Sequence, residues 1–154
     1  MDDAHCKESE EARVTASDTV TLYTDGASRG NPGDAAWAYV IVQGGSIAAS
    51  DSGYIGITTN NVAEYRAVIN GLRAAQAFTQ GRLKVRSDSE LVVRQLTGRY
   101  RIRKEHLMVL ADEVRQLVQG FAAVGFESVP REHPYIQVVD RLCNEVLDSR
   151  PGRV

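Results

Sequence analysis

The spacing of apolar residues changes near residue 60, and this change constrains the fold more than any other feature of the sequence. Before it, apolar residues alternate with small or polar ones in the segments 20–24, 36–42 and 47–55, which is the period of β-strands. A Gly-Gly pair separates the second and third segments and is a hairpin signal. The first part of the chain therefore predicts an antiparallel meander of three strands.

Helical spacing follows the meander. From Asn61 to about Thr79 apolar residues recur at intervals of three and four, and the same spacing returns three times later. The predicted later elements are helices at about 61–79, 90–97, 104–119 and 136–147 and strands at 83–87 and 121–129. The order β-β-β-α-β-α-α-β-α predicts an α/β fold in which a five-stranded mixed sheet carries helices on both faces.

The chain divides into one domain and two tails. Residues 1–18 hold six acidic side chains, two basic ones and almost no large apolar ones, which is typical of a disordered acidic tail. Residues 19–150 are long enough to bury a core, and residues 151–154 form a C-terminal tail. Outside the acidic tail the chain has 16 basic and 14 acidic side chains, a balance that suits a polyanionic partner only weakly.

The sequence predicts a cytoplasmic monomer without a membrane partner. No apolar run approaches the roughly 20 residues that cross a bilayer, and the first residues lack the pattern of a secretory signal. Cys6 and Cys143 are too few for a disulfide framework; a bridge between them stays open, and a reducing compartment is the simpler expectation. The helices show no second uninterrupted apolar face that would form an oligomer.

An acid stands where the first strand is predicted to end. Asp25 directly follows residues 20–24 and precedes a glycine- and proline-rich turn. A carboxylate at the end of a strand can be aimed with little loss of entropy, and glycines let backbone N–H groups approach a phosphate closely. The alternative is an ordinary turn in which Asp25 only hydrogen-bonds the loop.

Three further acids occupy comparable places. Asp88 closes the fourth strand, Glu64 lies in the first turn of a helix capped by an asparagine at 60 or 61, and Asp140 lies near the start of the last helix. Four carboxylates that converge raise one another's pKa unless cations compensate them. Mg²⁺ prefers such oxygen ligands, and two ions close together form a site for phosphodiester hydrolysis. No neighbouring pair of histidines or cysteines competes as a zinc site.

Four motifs, each containing one of these acids, resemble those of the type 1 ribonuclease H family. They are residues 24–33 (TDGASRGNPG), 58–65 (TTNNVAEY), 87–89 (SDS) and 139–144 (VDRLCN). Their order is the family's, and the resemblance covers residues 20–149. It implies a ribonuclease H-like fold and an enzyme that cuts the RNA strand of RNA–DNA hybrids with two Mg²⁺ ions, or with Mn²⁺, and leaves 3′-hydroxyl and 5′-phosphate ends.

The resemblance also implies a role for each motif residue. Asp25 would bridge both metal ions, Asp140 would help hold the ion that activates the attacking water, and Glu64 with Asp88 would bind the ion at the leaving oxygen. The matching substrate-binding positions are Gly26, Ser28, Gly30 and Asn60 at 2′-hydroxyls, Thr59 and Asn31 near the DNA strand's phosphate, and Ser89 in the third motif. Helix capping is the alternative for Asn60 and Thr59.

The chain departs from the family pattern after its second helix and in its third motif. The basic, tryptophan-bearing helix of many bacterial members is absent, because the second helix runs through Gly98 straight to the next one. A basic connection could replace it by phosphate contact, or could be a solvated loop. Its cations are Arg99, Arg101, Arg103 and Lys104. Glu90 stands where the third motif often has glutamine, which puts its direct contact with nucleic acid in doubt.

A loop before the last acid contains two further candidates. His133 and Arg131 lie in residues 130–134, where the family often has a histidine that assists proton transfer or product release. His133 lies only seven residues before Asp140, closer than is usual in the family. An exposed loop histidine without a role is the alternative.

Two other classes of protein fit less well. A nucleic-acid-binding module that has lost turnover would not need all four acids. A phosphatase with Asp25 as a covalent nucleophile normally needs a second acid two positions later, and that position is Ala27. Relatives of the same fold that cut DNA junctions or join DNA strands are disfavoured by the motif around Asn60.

Overall fold

A computed structural model describes residues 19–150. The predicted tails at 1–18, with Cys6, and at 151–154 lie outside the described residues. The strands are β1 (Val20–Gly30), β2 (Gly33–Gln43), β3 (Ser46–Thr58), β4 (Arg82–Ser87) and β5 (Ala123–Ser128). The helices are α1 (Asn60–Ala75), α2 (Glu90–Leu96), α3 (Glu105–Val118) and α4 (Pro134–Asp148). This order confirms the predicted one. Among the described residues, no helix combines the length and apolarity that crossing a membrane requires.

The five strands form one mixed sheet in the order β3-β2-β1-β4-β5. Antiparallel pairing of β1 with β2 and of β2 with β3 confirms the predicted meander. The pairs β1–β4 and β4–β5 are parallel. Tyr23 pairs with Arg86, so the end of β4 reaches the middle of the longer strand β1. This register brings the residue after β4, Asp88, toward Asp25.

Helices cover both faces of the sheet, as predicted. Leu22 and Tyr23 are neighbours in β1 and enter separate cores, because successive side chains of a strand point to opposite faces. The larger core contains side chains from α1 and α3, and the smaller one lies under α4, where Ile136 and Val139 are fully buried. Removing such aliphatic side chains from water stabilises the fold by about 1.5–3 kcal/mol each.

The prediction that β1 ends at Thr24 and gives way to a glycine-rich loop was wrong. The strand continues to Gly30, and Asp25 pairs with Ala38 inside the sheet. At Gly26, a Cβ atom would come within 2.2 Å of the Ala63 carbonyl carbon. The absence of a side chain at Gly26 therefore allows α1 to pack closely against β1. A glycine backbone can adopt the conformation of a strand as well as that of a turn, so β1 stays paired with β2 here.

The start of α1 also differs from the prediction. Thr59 is the N-cap, and its Oγ1 accepts a hydrogen bond from the Val62 N–H at 3.2 Å. Asn60 is the first helical residue, so neither asparagine caps the helix and Glu64 falls in the second turn. Helix capping, the alternative given for Thr59 and Asn60, is found for Thr59. The helix ends at Ala75, four residues earlier than its apolar spacing indicates.

Candidate active site

Three of the four predicted carboxylates meet at the junction of β1, α1 and β4. Asp25, Glu64 and Asp88 each offer an oxygen, and these oxygens lie within 4.8 Å of one another. Asp25 and Glu64 are 6% and 5% exposed, and Asp88 is half-buried. The missing side chain of Gly26 lets α1 approach, and the Gly26 N–H donates to Glu64 Oε1 at 2.9 Å. The close packing of helix and strand thus creates the cluster.

The cluster resists full ionisation. Burial, together with the charges of Asp88 and Asp140, raises the pKa of Asp25 to about 8. Burial and the charges of Asp25 and Asp88 raise the pKa of Glu64 well above its usual value, against a lowering by the Gly26 N–H. Near neutral pH, the protein without a cation would therefore hold a proton at Asp25. A divalent cation bound through oxygen removes both the repulsion and this proton.

Asp140 lies at the rim of the cluster. It is exposed on the second turn of α4 and does not belong to the three acids that lie within 4.8 Å of one another. Its charge nevertheless raises the pKa of Asp25. Asp140 Oδ2 accepts a hydrogen bond from Asn144 Nδ2 at 3.4 Å. The four acids predicted from the sequence therefore form a compact, largely buried group of three, and the exposed Asp140 lies beside it.

Arg131 and His133 have different surroundings. Arg131 Nε lies 3.6 Å from Asp88 Oδ2, and its positive charge lowers the pKa of Asp25 and Glu64. His133 is the N-cap of α4, where its Nδ1 accepts from the Tyr135 N–H at 3.2 Å. Its ring lies 5.0 Å from the Tyr23 ring, centroid to centroid. The structure places Arg131 against the carboxylates and His133 at the beginning of the helix that carries Asp140.

Three predicted substrate-binding residues form one hydrogen-bonded group. Asn60 Oδ1 accepts from the Ser28 N–H at 3.3 Å, and Asn31 Oδ1 accepts from the Asn60 N–H at 3.1 Å. The Ser28 hydroxyl oxygen is buried without a hydrogen-bond partner among residues 19–150. These bonds direct both asparagine oxygens toward the protein, so their amide NH₂ groups remain as donors. Gly30, with φ of 97°, ends the strand beside them.

Ser89 and Glu90 both serve helix α2. Ser89 Oγ accepts from the Val92 N–H at 3.3 Å and caps the helix. Glu90 lies 3.5 Å from Arg94, whose guanidinium also donates to the Tyr100 hydroxyl at 2.6 Å. The acid that departs from the family pattern is therefore compensated by a neighbouring cation.

Residues 97–104 connect α2 to α3 without a helix of their own. Ile102 is 8% exposed and anchors this connection to the larger core. The four predicted cations, Arg99, Arg101, Arg103 and Lys104, are exposed, and none forms an ion pair with a residue that the structure describes. They remain available to an anionic partner.

A family model described as "Reverse transcriptase-like" matches residues 23–146. Ribonuclease HI of Halobacterium salinarum is 43% identical over 84% of this chain. The chain belongs to the type 1 ribonuclease H family. It spans 65% of the Halobacterium protein, and 36% of a bifunctional protein of Mycobacterium tuberculosis that is 36% identical over 84% of this chain.

Solved structures of the family share the fold. The crystal structure of RNase H1 from Halobacterium salinarum has a TM-score of 0.81 and 42% identity, over 86% of this chain and 99% of that one. LC11-RNase H1, solved in complex with an RNA/DNA hybrid, has a TM-score of 0.79 and 37% identity, over 84% of this chain and 97% of that one. The predicted family and its short form, without a helix between α2 and α3, are confirmed.

Sequence reasoning missed three residues near the site. Arg29 and Asn144 contact each other although they are 115 positions apart in the sequence. The only sequence signal of a role was that they lie within the first and fourth motifs. Cys143 is a buried thiol without a disulfide partner among residues 19–150, and its Sγ lies 3.4 Å from the Asp25 carbonyl oxygen. Burial, reinforced by the surrounding carboxylates, raises the pKa of this thiol, so it acts as a small apolar residue beneath the site.

Proposed function

We propose that this chain is a divalent-metal-dependent endoribonuclease that hydrolyses the RNA strand of RNA–DNA hybrids, leaving 3′-hydroxyl and 5′-phosphate ends. The observation that carries the proposal is the cluster of Asp25, Glu64 and Asp88, whose oxygens lie within 4.8 Å of one another in a ribonuclease H fold. Membership of the family supplies the reaction class. The hybrid in the complex of LC11-RNase H1 supplies the substrate class.

The donor set fits Mg²⁺ or Mn²⁺. All four groups are carboxylates, the ligands that hard cations prefer. Asp25, Glu64 and Asp88, whose oxygens lie within 4.8 Å of one another, would hold one ion. The resemblance to the family implies that Asp25 and Asp140 would hold a second one. When bound, such ions acidify water and neutralise charge on a phosphate undergoing displacement.

The side chains around the cluster would orient the hybrid. Asn60 and Asn31 would present amide donors to 2′-hydroxyl and phosphate oxygens, and the Ser28 N–H holds the Asn60 amide in place. The Gly26 N–H is already bound to Glu64, so this glycine would contribute the close approach of α1 rather than a donor. Gly30 and Thr59 shape the backbone on either side of this group.

Positive charge would act at two distances from the reacting phosphate. Arg131, beside Asp88, would turn from this carboxylate to a phosphate oxygen when Asp88 binds a cation. The cations of residues 99–104 would contact the DNA strand farther from the reacting phosphate. Ser89 caps α2, the helix that precedes these residues. His133 has only Nε2 left for proton transfer, because Nδ1 caps α4.

The experiment that tests this proposal offers end-labelled RNA–DNA hybrid, RNA duplex, DNA duplex and each single strand, with Mg²⁺ or with chelator. We expect Mg²⁺-dependent cleavage of the RNA in the hybrid alone. Product mobility before and after phosphatase treatment then identifies the ends. Cleavage of DNA duplex, or activity that survives the chelator, would contradict the proposal.

The monomeric state and the cytoplasmic location belong to the same proposal. The monomer is supported by helices with one apolar face, and the location by a cysteine count too low for a disulfide framework. Light scattering at several protein concentrations tests the monomer, and fractionation of the source cells tests the location.

A further inference from the structure

Three polar side chains form a stripe along the exposed face of α4. Asp140, Asn144 and Asp148 are spaced by four residues, so they lie above one another on the helix. Arg29, from the end of β1, bridges Asn144 and Asp148. Its guanidinium lies 2.6 Å from Asp148 Oδ1 and donates to Asn144 Oδ1 at 3.4 Å. It also donates to the Asn144 backbone carbonyl at 3.4 Å. The stripe continues to Asp140 through the Asn144 Nδ2 donor.

We propose that Arg29 and Asn144 are positioning residues that fix the carboxylate of Asp140 for a divalent cation, an inference that rests on the proposed function. A guanidinium has only donors, so Arg29 binds the oxygen end of the Asn144 amide. The nitrogen end must then face the other way, toward Asp140, which can only accept when ionised. The two charged neighbours thus allow one orientation of the amide.

Asp140 is the one of the four predicted carboxylates that needs such help. Burial confines Asp25 and Glu64, and the Gly26 N–H also binds Glu64. Asp140 is exposed on a helix, where its side chain would otherwise exchange among rotamers. Fixing one oxygen through Asn144 leaves the other for a cation and removes part of the entropy lost on binding.

The sign of the effect separates this inference from simple electrostatics. Arg29 is a cation near a cation site, so removing it would strengthen divalent binding through charge alone. Positioning predicts the opposite, because the Asn144 amide is then free to turn its oxygen toward Asp140. A third role, contact of Arg29 with a phosphate of the hybrid, predicts weaker hybrid binding and unchanged metal binding.

Calorimetric titration of the full chain with Mn²⁺, without nucleic acid, measures the effect directly. We expect Asn144→Ala and Arg29→Ala each to raise the Mn²⁺ dissociation constant by about tenfold, as for other residues that orient metal ligands. Arg29→Lys should restore most of the affinity, because lysine also has only donors. Arg115→Ala, which removes another exposed Arg–Asp pair on α3, is the matched control and should leave the constant unchanged.

The double variant Arg29→Ala/Asn144→Ala tests whether the residues act in series. If Arg29 acts through Asn144, the double variant binds Mn²⁺ as weakly as Asn144→Ala alone. Unchanged or tighter Mn²⁺ binding in Arg29→Ala, or additive losses in the double variant, would overturn the inference. Circular dichroism confirms that each variant is folded.

Cleavage kinetics on the hybrid distinguish a failure of the positioning role from a failure of the proposed nuclease function. With positioning, the variants need about tenfold more Mg²⁺ for half-maximal rate, while the KM for hybrid at saturating Mg²⁺ stays unchanged. A raised KM with an unchanged Mg²⁺ requirement would overturn the positioning role and leave the nuclease intact. A wild-type chain that binds Mn²⁺ and does not cleave the hybrid would instead defeat the proposed function.

Discussion

The carboxyl group of Asp25 is buried beside other carboxylates, so its ionisation without a cation is costly. It lies inside the sheet, 6% exposed, and faces the charges of Asp88 and Asp140. Its pKa of about 8 in the folded protein is far above the ordinary aspartate value of 3.8. A group with a raised pKa stabilises the fold below its unfolded pKa and loses this contribution as pH rises through the folded value. The residue that would bind cations is therefore also a pH-dependent weakness of the cation-free fold.

In the presence of chelator, the free energy of unfolding should decrease as pH rises from about 4 to about 8. Because the unfolded chain releases the Asp25 proton earlier, the loss should amount to a few kcal/mol in order of magnitude. Asp25→Asn cannot ionise and should lack this part of the pH dependence. Urea unfolding at pH 5 and pH 8 measures it. If the free energy of unfolding changes equally with pH in wild type and variant, Asp25 ionises without cost.

At the scale of elements, the contact between β1 and α1 decides the geometry of the site. The apolar spacing predicted every described strand and helix in the correct order, because alternation and helical period are local properties. It did not predict that β1 passes through Asp25 to Gly30, since a glycine can serve a turn or a close helix contact equally well. The rim position of Asp140 and the Arg29–Asn144 contact were also invisible, because they join distant parts of the chain.

Gly26→Ala should damage both stability and the site. Its Cβ would lie 2.2 Å from the Ala63 carbonyl carbon, so α1 must move away from β1. We expect a loss of about 1–3 kcal/mol from overpacking, together with loss of metal binding because Glu64 moves with the helix. Gly125→Ala in β5 is the control, since a Cβ there meets no atom within 4 Å. Thermal unfolding and Mn²⁺ titration of both variants measure the difference, and equal behaviour would contradict the account.

The start of α4 gives a test of His133. His133→Ala removes the side-chain cap and should cost about 1 kcal/mol, whereas His133→Asn keeps a capping acceptor and should restore most of the stability. If capping is the whole role, His133→Asn also keeps the rate and its pH profile. A rate that stays low in both variants, with a changed pH profile, would assign proton transfer to Nε2.

At the scale of the molecule, charge is distributed unevenly. The described domain combines an acidic cluster with a basic connection at 97–104 that forms no internal ion pairs from its four exposed cations. These cations stand where many family members have an additional helix. The sequence identified them by composition alone, but only the fold shows that Ile102 holds the connection against the core.

Arg101→Ala/Arg103→Ala should weaken hybrid binding and leave the rate at saturating hybrid unchanged. Each lost phosphate contact lowers the slope of log affinity against log salt by roughly 0.7–0.9. Arg82→Ala/Lys84→Ala is the matched control, because these exposed cations begin β4, at the end of the strand away from Asp88. Fluorescence anisotropy at several salt concentrations measures both slopes, and equal slopes would show that the connection is only solvated.

We propose that Asp25 and its neighbouring carboxylates cleave a hybrid that other residues bind. The most direct test measures hybrid binding and RNA cleavage side by side for wild type and Asp25→Asn in Mg²⁺. We predict that the variant binds the hybrid within about threefold of wild type, because the binding groups surround the cluster, and that its cleavage falls by roughly 10³-fold or more. Cleavage by Asp25→Asn at a rate close to that of wild type would contradict the account.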